Sequence, residues 1–385
     1  MKFRIAAIGV TLAAASLIAQ PALAADPELP DTLAWSAYDV GSAGYNQAVG
    51  IGAALKNKYG TNLRIIPGKN DVSRMLPLKT NRLDFVANGA GTYMAQEGMY
   101  EFGGKDWGPL PVRILLTNIA PQSMSVIVAK DTGAKTVADL KGKRVSWVIG
   151  APAINQNITA VLAFAGLTWD DVEKVEFGGY RASLDAIINN QSDVGFSASV
   201  SGGSYALEQS PRGLAYVSMP AADAEGWKRV QAVAPFMLPV NATNGAGLSK
   251  ESPVESAVYP YPILHTFADR KDDMVYAMTR AMDETYSMYK GSAPGNDGWE
   301  LDRQNLDWVI PYHDGAIRYY KEKGMWTDAH EKHNDALLER QRILADAWQK
   351  VLAQDLEGDA HMAAWQKARA EALRGAGLGV VLDDW

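Results

Sequence analysis

Between residue 32 and about residue 219, short apolar runs rich in β-branched and aromatic residues alternate with stretches whose apolar positions recur every three or four residues. The runs LAWSAY, LRIIP, DFVAN, VRILLTNI, SMSVIVAK, RVSWVI, KVEFG, DVGFSAS and LAYVSM predict strands. Between them, residues 45–59 read as a helix closed by Gly60, residues 154–165 as a helix closed by Gly166, and Thr168 caps a short turn through TWDDV. Strands alternating with helices imply βαβ units and a largely parallel sheet, so the fold class is α/β.

The alternation runs twice. One set spans residues 32 to about 119, and a second begins near TVADLKGKRVSWVIG with the same order of strand, loop and helix. Two such lobes set two groups of strand-end loops around one crevice, where open α/β sheets bind ligands. The extended segments NIAPQSMSVIV and SPVESAVYPYPILH read as crossings between lobes, and beyond His265 the pattern turns helical. The expected organisation is a first lobe from residues 26–120 and 260–385, carrying the C-terminal helices, and a second lobe from residues 121–259. Residues 1–24 read as a signal peptide: a basic start, a short apolar run and a small-residue cleavage pattern at Ala22 to Ala24.

Composition narrows the class. The sequence has no cysteine, so its 385 residues must be held by their cores alone, as suits a large bacterial periplasmic protein. A formal net charge of −7 argues against nucleic acid as a partner while leaving room for an anionic small ligand, because a local field can oppose the net charge. Catalytic patterns are missing. His330 and His333 stand as HEKH, which lacks the i,i+4 spacing of a helical zinc pair, and no Gly-x-Ser-x-Gly occurs. GSAGYNQAVG fails the dinucleotide pattern, and neither a metal nor a cofactor is expected.

Three features coincide with those of a known family: the strand-to-helix turn at residues 41–45, the stretch VAKDTGAKTVADLKGKRVSW, and GLTWDDVEKVEFGGYRASLDAIINNQSDVGFSAS. With the signal peptide they resemble the TAXI family of extracytoplasmic solute-binding proteins, which serve TRAP transporters. Gly41 and Tyr45 look like counterparts of the family's Thr-Gly-Gly-Thr-Tyr-Tyr turn, whereas Ser42, Ala43 and Asn46 depart from it. The resemblance implies a type II periplasmic-binding-protein fold, closure of two lobes on a ligand, and TRAP membrane subunits driven by an ion gradient as partner. Characterised members are associated with glutamate and similar carboxylates.

Candidate ligand-binding residues sit on the strand-end loops. In the opening turn, Ser42 and Tyr45 would present backbone and hydroxyl donors at a helix N-terminus, unless the turn's glycines serve only to permit φ > 0. Asn70 is either a helix cap or a ligand donor, and Lys69 either a charge at the mouth or a solvated surface lysine. Asn88 could pair with a carboxylate or merely form a turn before Gly89. Asn155 and Gln156 would lie in a first helical turn, as donors or as caps. Arg181 could clamp a carboxylate bidentately or pair with Asp185 at i,i+4. Tyr38, Trp35 and Trp147 offer stacking faces or core, and either tyrosine of YPYP could face the cleft. The resulting expectation is a periplasmic receptor that takes a small organic acid, with Arg181 and helix N-termini neutralising the carboxylate and Tyr38 and Tyr45 shaping the remainder. An amino acid, a sulfonate or an aromatic acid is the alternative ligand; an amino group would need Asp39 or Asp71. An exported α/β enzyme is the alternative outside binding proteins.

Overall fold

A computed structural model describes residues 28–383 and 385. The expected signal peptide lies outside the described residues. The chain opens with β1 (Thr32–Ala37), α1 (Ala43–Tyr59), β2 (Asn62–Pro67), α2 (Asp71–Lys79), β3 (Phe85–Asn88), α3 (Gly91–Glu97) and β4 (Val112–Thr117). It continues through β5 (Met124–Ala129), β6 (Arg144–Val148), α4 (Pro152–Phe164), β7 (Glu173–Phe177), α5 (Tyr180–Ile188), β8 (Val194–Ala198), α6 (Gly202–Glu208), β9 (Leu214–Tyr216) and α7 (Ala224–Val233). A hairpin of β10 (Leu238–Ala242) and β11 (Val254–Val258) precedes β12 (Ile263–Phe267), after which α8 (Asp272–Glu284), α9 (Tyr286–Tyr289), α10 (Asp314–Glu322), α11 (Asp328–Leu352) and α12 (Gly358–Gly375) follow.

The fold is α/β, with two five-stranded sheets in the orders β2-β1-β3-β12-β4 and β7-β6-β8-β5-β9. Each sheet is mixed, which corrects the expectation of a largely parallel one. β1 runs parallel to β2 and β3, but β12 runs antiparallel to β3 and β4; likewise β6 is parallel to β7 and β8, while β5 is antiparallel to β8 and β9. The cause is the route of the chain. β12 enters its sheet with Ile263 beside Asn88, the last residue of β3, and β5 starts with Met124 beside Ala198, the last residue of β8. A strand that enters where its parallel neighbours end must run against them.

Two segments cross between the sheets, and they are bonded to each other. The amide of Asn118 donates to the Pro262 carbonyl at 3.0 Å, and that of Tyr261 donates to the Asn118 carbonyl at 2.8 Å. The Gln122 side-chain amide donates to the Tyr261 carbonyl at 3.2 Å. The C-terminal pair α11 and α12 buries Leu344, Trp348, Val351, Trp365 and Leu373 between its helices. It is fixed to the first sheet's helices by the Trp365 indole, which donates to the Gly98 carbonyl at 2.6 Å. Among the described residues no helix is long and apolar enough to cross a membrane.

His265 sits in the middle of β12 with 0% exposure. Burial, aided by the nearby Arg74 charge, draws its pKa from 6.5 down to about 3. Below pH 6.5 the unfolded chain therefore takes up a proton that the folded chain refuses, and stability falls as pH drops from the unfolded value toward about 3. The slope from this site alone is about 1.4 kcal/mol per pH unit. Urea unfolding between pH 7 and pH 5 is expected to show that loss, and His265→Gln to flatten it; equal slopes in the two proteins would remove His265 as the cause.

Candidate functional site

The ends of the strands in the two sheets border a cleft of about 580 Å³ that opens on one side to solvent. From the first sheet come Tyr38 and Asp39 after β1, Lys69, Asn70, Asp71 and Arg74 after β2, and Gly89 and Ala90 after β3. The second sheet supplies Met124 on β5, Phe196 and Ala198 on β8, Ala151 just before α4, Ala153, Ile154 and Asn157 in its first turns, and Tyr180 at the start of α5. Tyr259 and Tyr261 belong to the crossing segment itself. Most of this wall is aromatic or aliphatic, so it suits a largely apolar guest fixed by a few polar groups.

The charge inside the cavity is balanced by the chain's own residues. Asp71, the first residue of α2, accepts from Arg74 Nη2 at 2.5 Å, and their side chains are 4% and 7% exposed. Asp71 Oδ2 also accepts from the Ala153 amide at 3.3 Å, so one carboxylate links α2 on one sheet to the N-terminus of α4 on the other. Arg74 has further partners: Nε donates to Asn88 Oδ1 at 3.0 Å and Nη1 to the Gly68 carbonyl at 3.1 Å. Its guanidinium carbon lies 4.2 Å from the centre of the Tyr38 ring, a cation–π contact. Gly91 makes room for the acid, since a Cβ there would stand 2.3 Å from Asp71 Oδ1.

The aromatic wall is equally interlocked. Tyr38 and Tyr261 have ring centres 5.0 Å apart, and Tyr259 stands perpendicular to Tyr261 at 6.4 Å. Burial raises the phenol pKa of Tyr38, Tyr180, Tyr259 and Tyr261 above 10, so all four hydroxyls are protonated and neutral at physiological pH. Asn157 Nδ2 donates to the Tyr259 hydroxyl at 3.0 Å, and the buried Asn157 Oδ1 has no partner. That oxygen is free to accept a hydrogen bond from a guest.

The residues singled out in the sequence fall into three groups. Tyr38 and Asn70 line the cavity; Asn70 is also the cap of α2, accepting from the Ser73 amide at 2.8 Å. Asn88 stands behind the cavity and orients Arg74. The others are occupied elsewhere. Ser42 caps α1 by accepting from the Tyr45 amide at 3.3 Å, and neither Ser42 nor Tyr45 reaches the cavity wall. The opening turn's glycine has a steric task instead: at Gly44 a Cβ would lie 2.4 Å from Tyr38 Cδ2. Asn155 folds back on β6, bonding both the amide and the carbonyl of Val148. Gln156 donates to the Val233 carbonyl at 2.6 Å and accepts from the Tyr100 hydroxyl.

Arg181 is exposed and pairs with Asp185 at 2.9 Å, outside the cavity. Helical i,i+4 spacing satisfied it locally, and the cavity's arginine is Arg74. Trp35 is core at 0% exposure, and Trp147 packs edge-on against Trp169 with Lys174 over its face. Sequence reasoning missed Arg74, although PGKNDVSRM carried the signal: an acid at the first position of a helix with an arginine three residues later, directly after a strand end.

Two sheets meeting at a shared strand-end cavity define an α/β protein with a chamber between its sheets. Residues 39–324, which include both sheets beyond β1 and nearly every residue of the cavity wall, match the NMT1-like family, and the chain belongs to that family. Among solved structures it is similar to the alkanesulfonate-binding protein SsuA from Xanthomonas axonopodis pv. citri bound to MOPS, at 15% identity over 86% of this chain and 96% of that one, with a TM-score of 0.44. The periplasmic aliphatic sulphonate binding protein SsuA from Escherichia coli aligns at 14% identity over 89% of this chain and 99% of that one, TM-score 0.45. An ancestral arginine-binding protein bound to arginine aligns at 14% identity over 70% and 96%, TM-score 0.41.

Proposed function

We propose that this protein is a periplasmic solute receptor that captures one small molecule between its two sheets and passes it to the membrane subunits of a transporter. The observation that carries this reading is the chamber itself. Its wall is drawn from both sheets at their strand ends, and the sheets are joined by two adjacent crossing segments about which they could open and close. The wall includes no histidine, serine, threonine or cysteine, so it offers no hydroxyl or thiol paired with an imidazole base, and its buried carboxylate Asp71 is held by Arg74. The signal-peptide pattern of residues 1–24 supports export, and the TAXI-like segments support a TRAP-type membrane partner.

An organic acid, the guest expected from the sequence, would be served by the Arg74 guanidinium and the α4 N-terminus meeting at one point of the wall, but Asp71 already engages both, and the class of guest turns on that carboxylate. The receptor reading is tested by native mass spectrometry of the protein purified from an exporting bacterial host, followed by a thermal-shift screen with whatever is recovered. A small molecule retained stoichiometrically, stabilising the protein and recovered unchanged, is the expected result. Conversion of that molecule to a product would make the protein an enzyme. The TRAP-type partner predicts that uptake in reconstituted vesicles stops when the ion gradient is collapsed and continues without ATP.

A further inference from the structure

On the receptor reading above, we infer that the chamber takes an uncharged, largely apolar molecule bearing an N–H or O–H donor, and that Asp71 is a resident anion excluding acids. The helix N-termini beside the chamber would draw in an anion if they were empty. They are already served by the chain. Asp71 begins α2, bonds the first turn of α4 through Ala153, and lies so close to the first residue of α3 that only Gly91 fits there. The buried cation of the wall, Arg74, spends Nη2 on Asp71, Nη1 on Gly68 and Nε on Asn88.

The remaining charges of the wall, Asp39 and Lys69, are of opposite sign and sit at its more open edge. An acid carried into the chamber, past the exposed Lys69, would thus bury a negative charge beside Asp71 where the wall's buried cation is already held by that aspartate, a cost that a neutral guest avoids. The tyrosine hydroxyls are neutral and supply no compensating cation. What the wall leaves unsatisfied is one end of the Asn157 amide, whose free Oδ1 calls for a donor on the guest. Amides and related uncharged ring compounds meet both conditions, whereas carboxylates meet neither.

The test compares isosteric twins on the full exported chain: nicotinamide against nicotinate, and benzamide against benzoate, by calorimetry at neutral pH. The amide of each pair is expected to bind about tenfold or more tightly than the acid. Asp71→Asn removes the resident anion and leaves Arg74 uncompensated, so the acid is expected to gain about tenfold on its twin. An acid preferred by the wild-type protein, or a ratio unmoved in a folded Asp71→Asn variant, overturns the inference. The molecule retained through native purification decides independently of the variant. An uncharged one supports the inference even where no twin binds. A retained acid overturns the inference and leaves the receptor reading standing, and an empty protein that binds no twin overturns both.

Discussion

Glu97→Gln is expected to destabilise the protein by about 3–5 kcal/mol, the cost of leaving buried charges without their partner. Glu97 ends α3 at 0% exposure, and it accepts from Arg340 of α11 at 2.7 Å through both oxygens and from Arg369 of α12 at 2.8 Å. Burial alone would raise its pKa, but hydrogen bonds from Arg340 and the charges of both arginines outweigh that and hold the carboxyl below its usual range. The contribution is therefore present above the unfolded carboxyl pKa and is lost as pH falls through the lower folded one. Glutamine keeps the size and removes the charge, leaving Arg369 at 0% exposure with backbone carbonyls, the Met99 sulfur and the Trp385 ring around it and no anion. Urea unfolding reads the loss, and hydrogen exchange is expected to rise first in residues 328–375. Unchanged exchange there would mean that α11 and α12 are held by their apolar contacts alone.

Arg74→Met carries a comparable expectation at the chamber: a loss of about 3–5 kcal/mol, because Asp71 remains buried without its cation. The double variant Asp71→Asn with Arg74→Met is expected to recover more than half of that loss, since both charges then leave together. Chemical denaturation of the wild type, the two single variants and the double variant completes the cycle. Additive losses would show that the pair at 2.5 Å contributes through packing and not through charge.

Much of the architecture was legible in the sequence. The runs from LAWSAY to LAYVSM all became strands, because short apolar runs rich in β-branched and aromatic residues, buried along their whole length in β3, β5 and β8, are constrained locally to a sheet. Gly60 and Gly166 end helices with φ of 74° and 72°, and Thr168 caps its turn, as their residue types dictate. β10 and β12 were not legible. β10 carries Pro239 and a mostly exposed pattern, and β12 follows YPYP so closely that it reads as part of a crossing. Its antiparallel direction depends on where the chain re-enters the first sheet, which no local pattern encodes.

The site was less legible than the fold, for a definite reason. Asn155, Gln156 and Arg181 each occupy loops of the right kind, yet each finds a nearer partner: the Val148 backbone, the Val233 carbonyl and Asp185. Loop position indicates which segments approach a cleft, whereas the direction of each side chain is settled by competition among partners distant in sequence. Arg74 makes the same point from the other side. Its partners Asp71 and Gly68 are local, but Asn88 and the Tyr38 ring that fix its place arrive from two other strand ends.

Tyr261 occupies two roles at once. Its backbone is one of the two strands joining the lobes, bonded to Asn118 and Gln122, while its ring forms part of the chamber wall against Tyr38. A rotation of one lobe about that joint must therefore displace a piece of the wall, and a guest pressing on the ring must in turn load the joint. On the receptor proposal, the size of the guest and the angle between the two sheets would then be a single variable. A membrane partner sensing only the outer shape of such a receptor would in effect measure the size of what it holds.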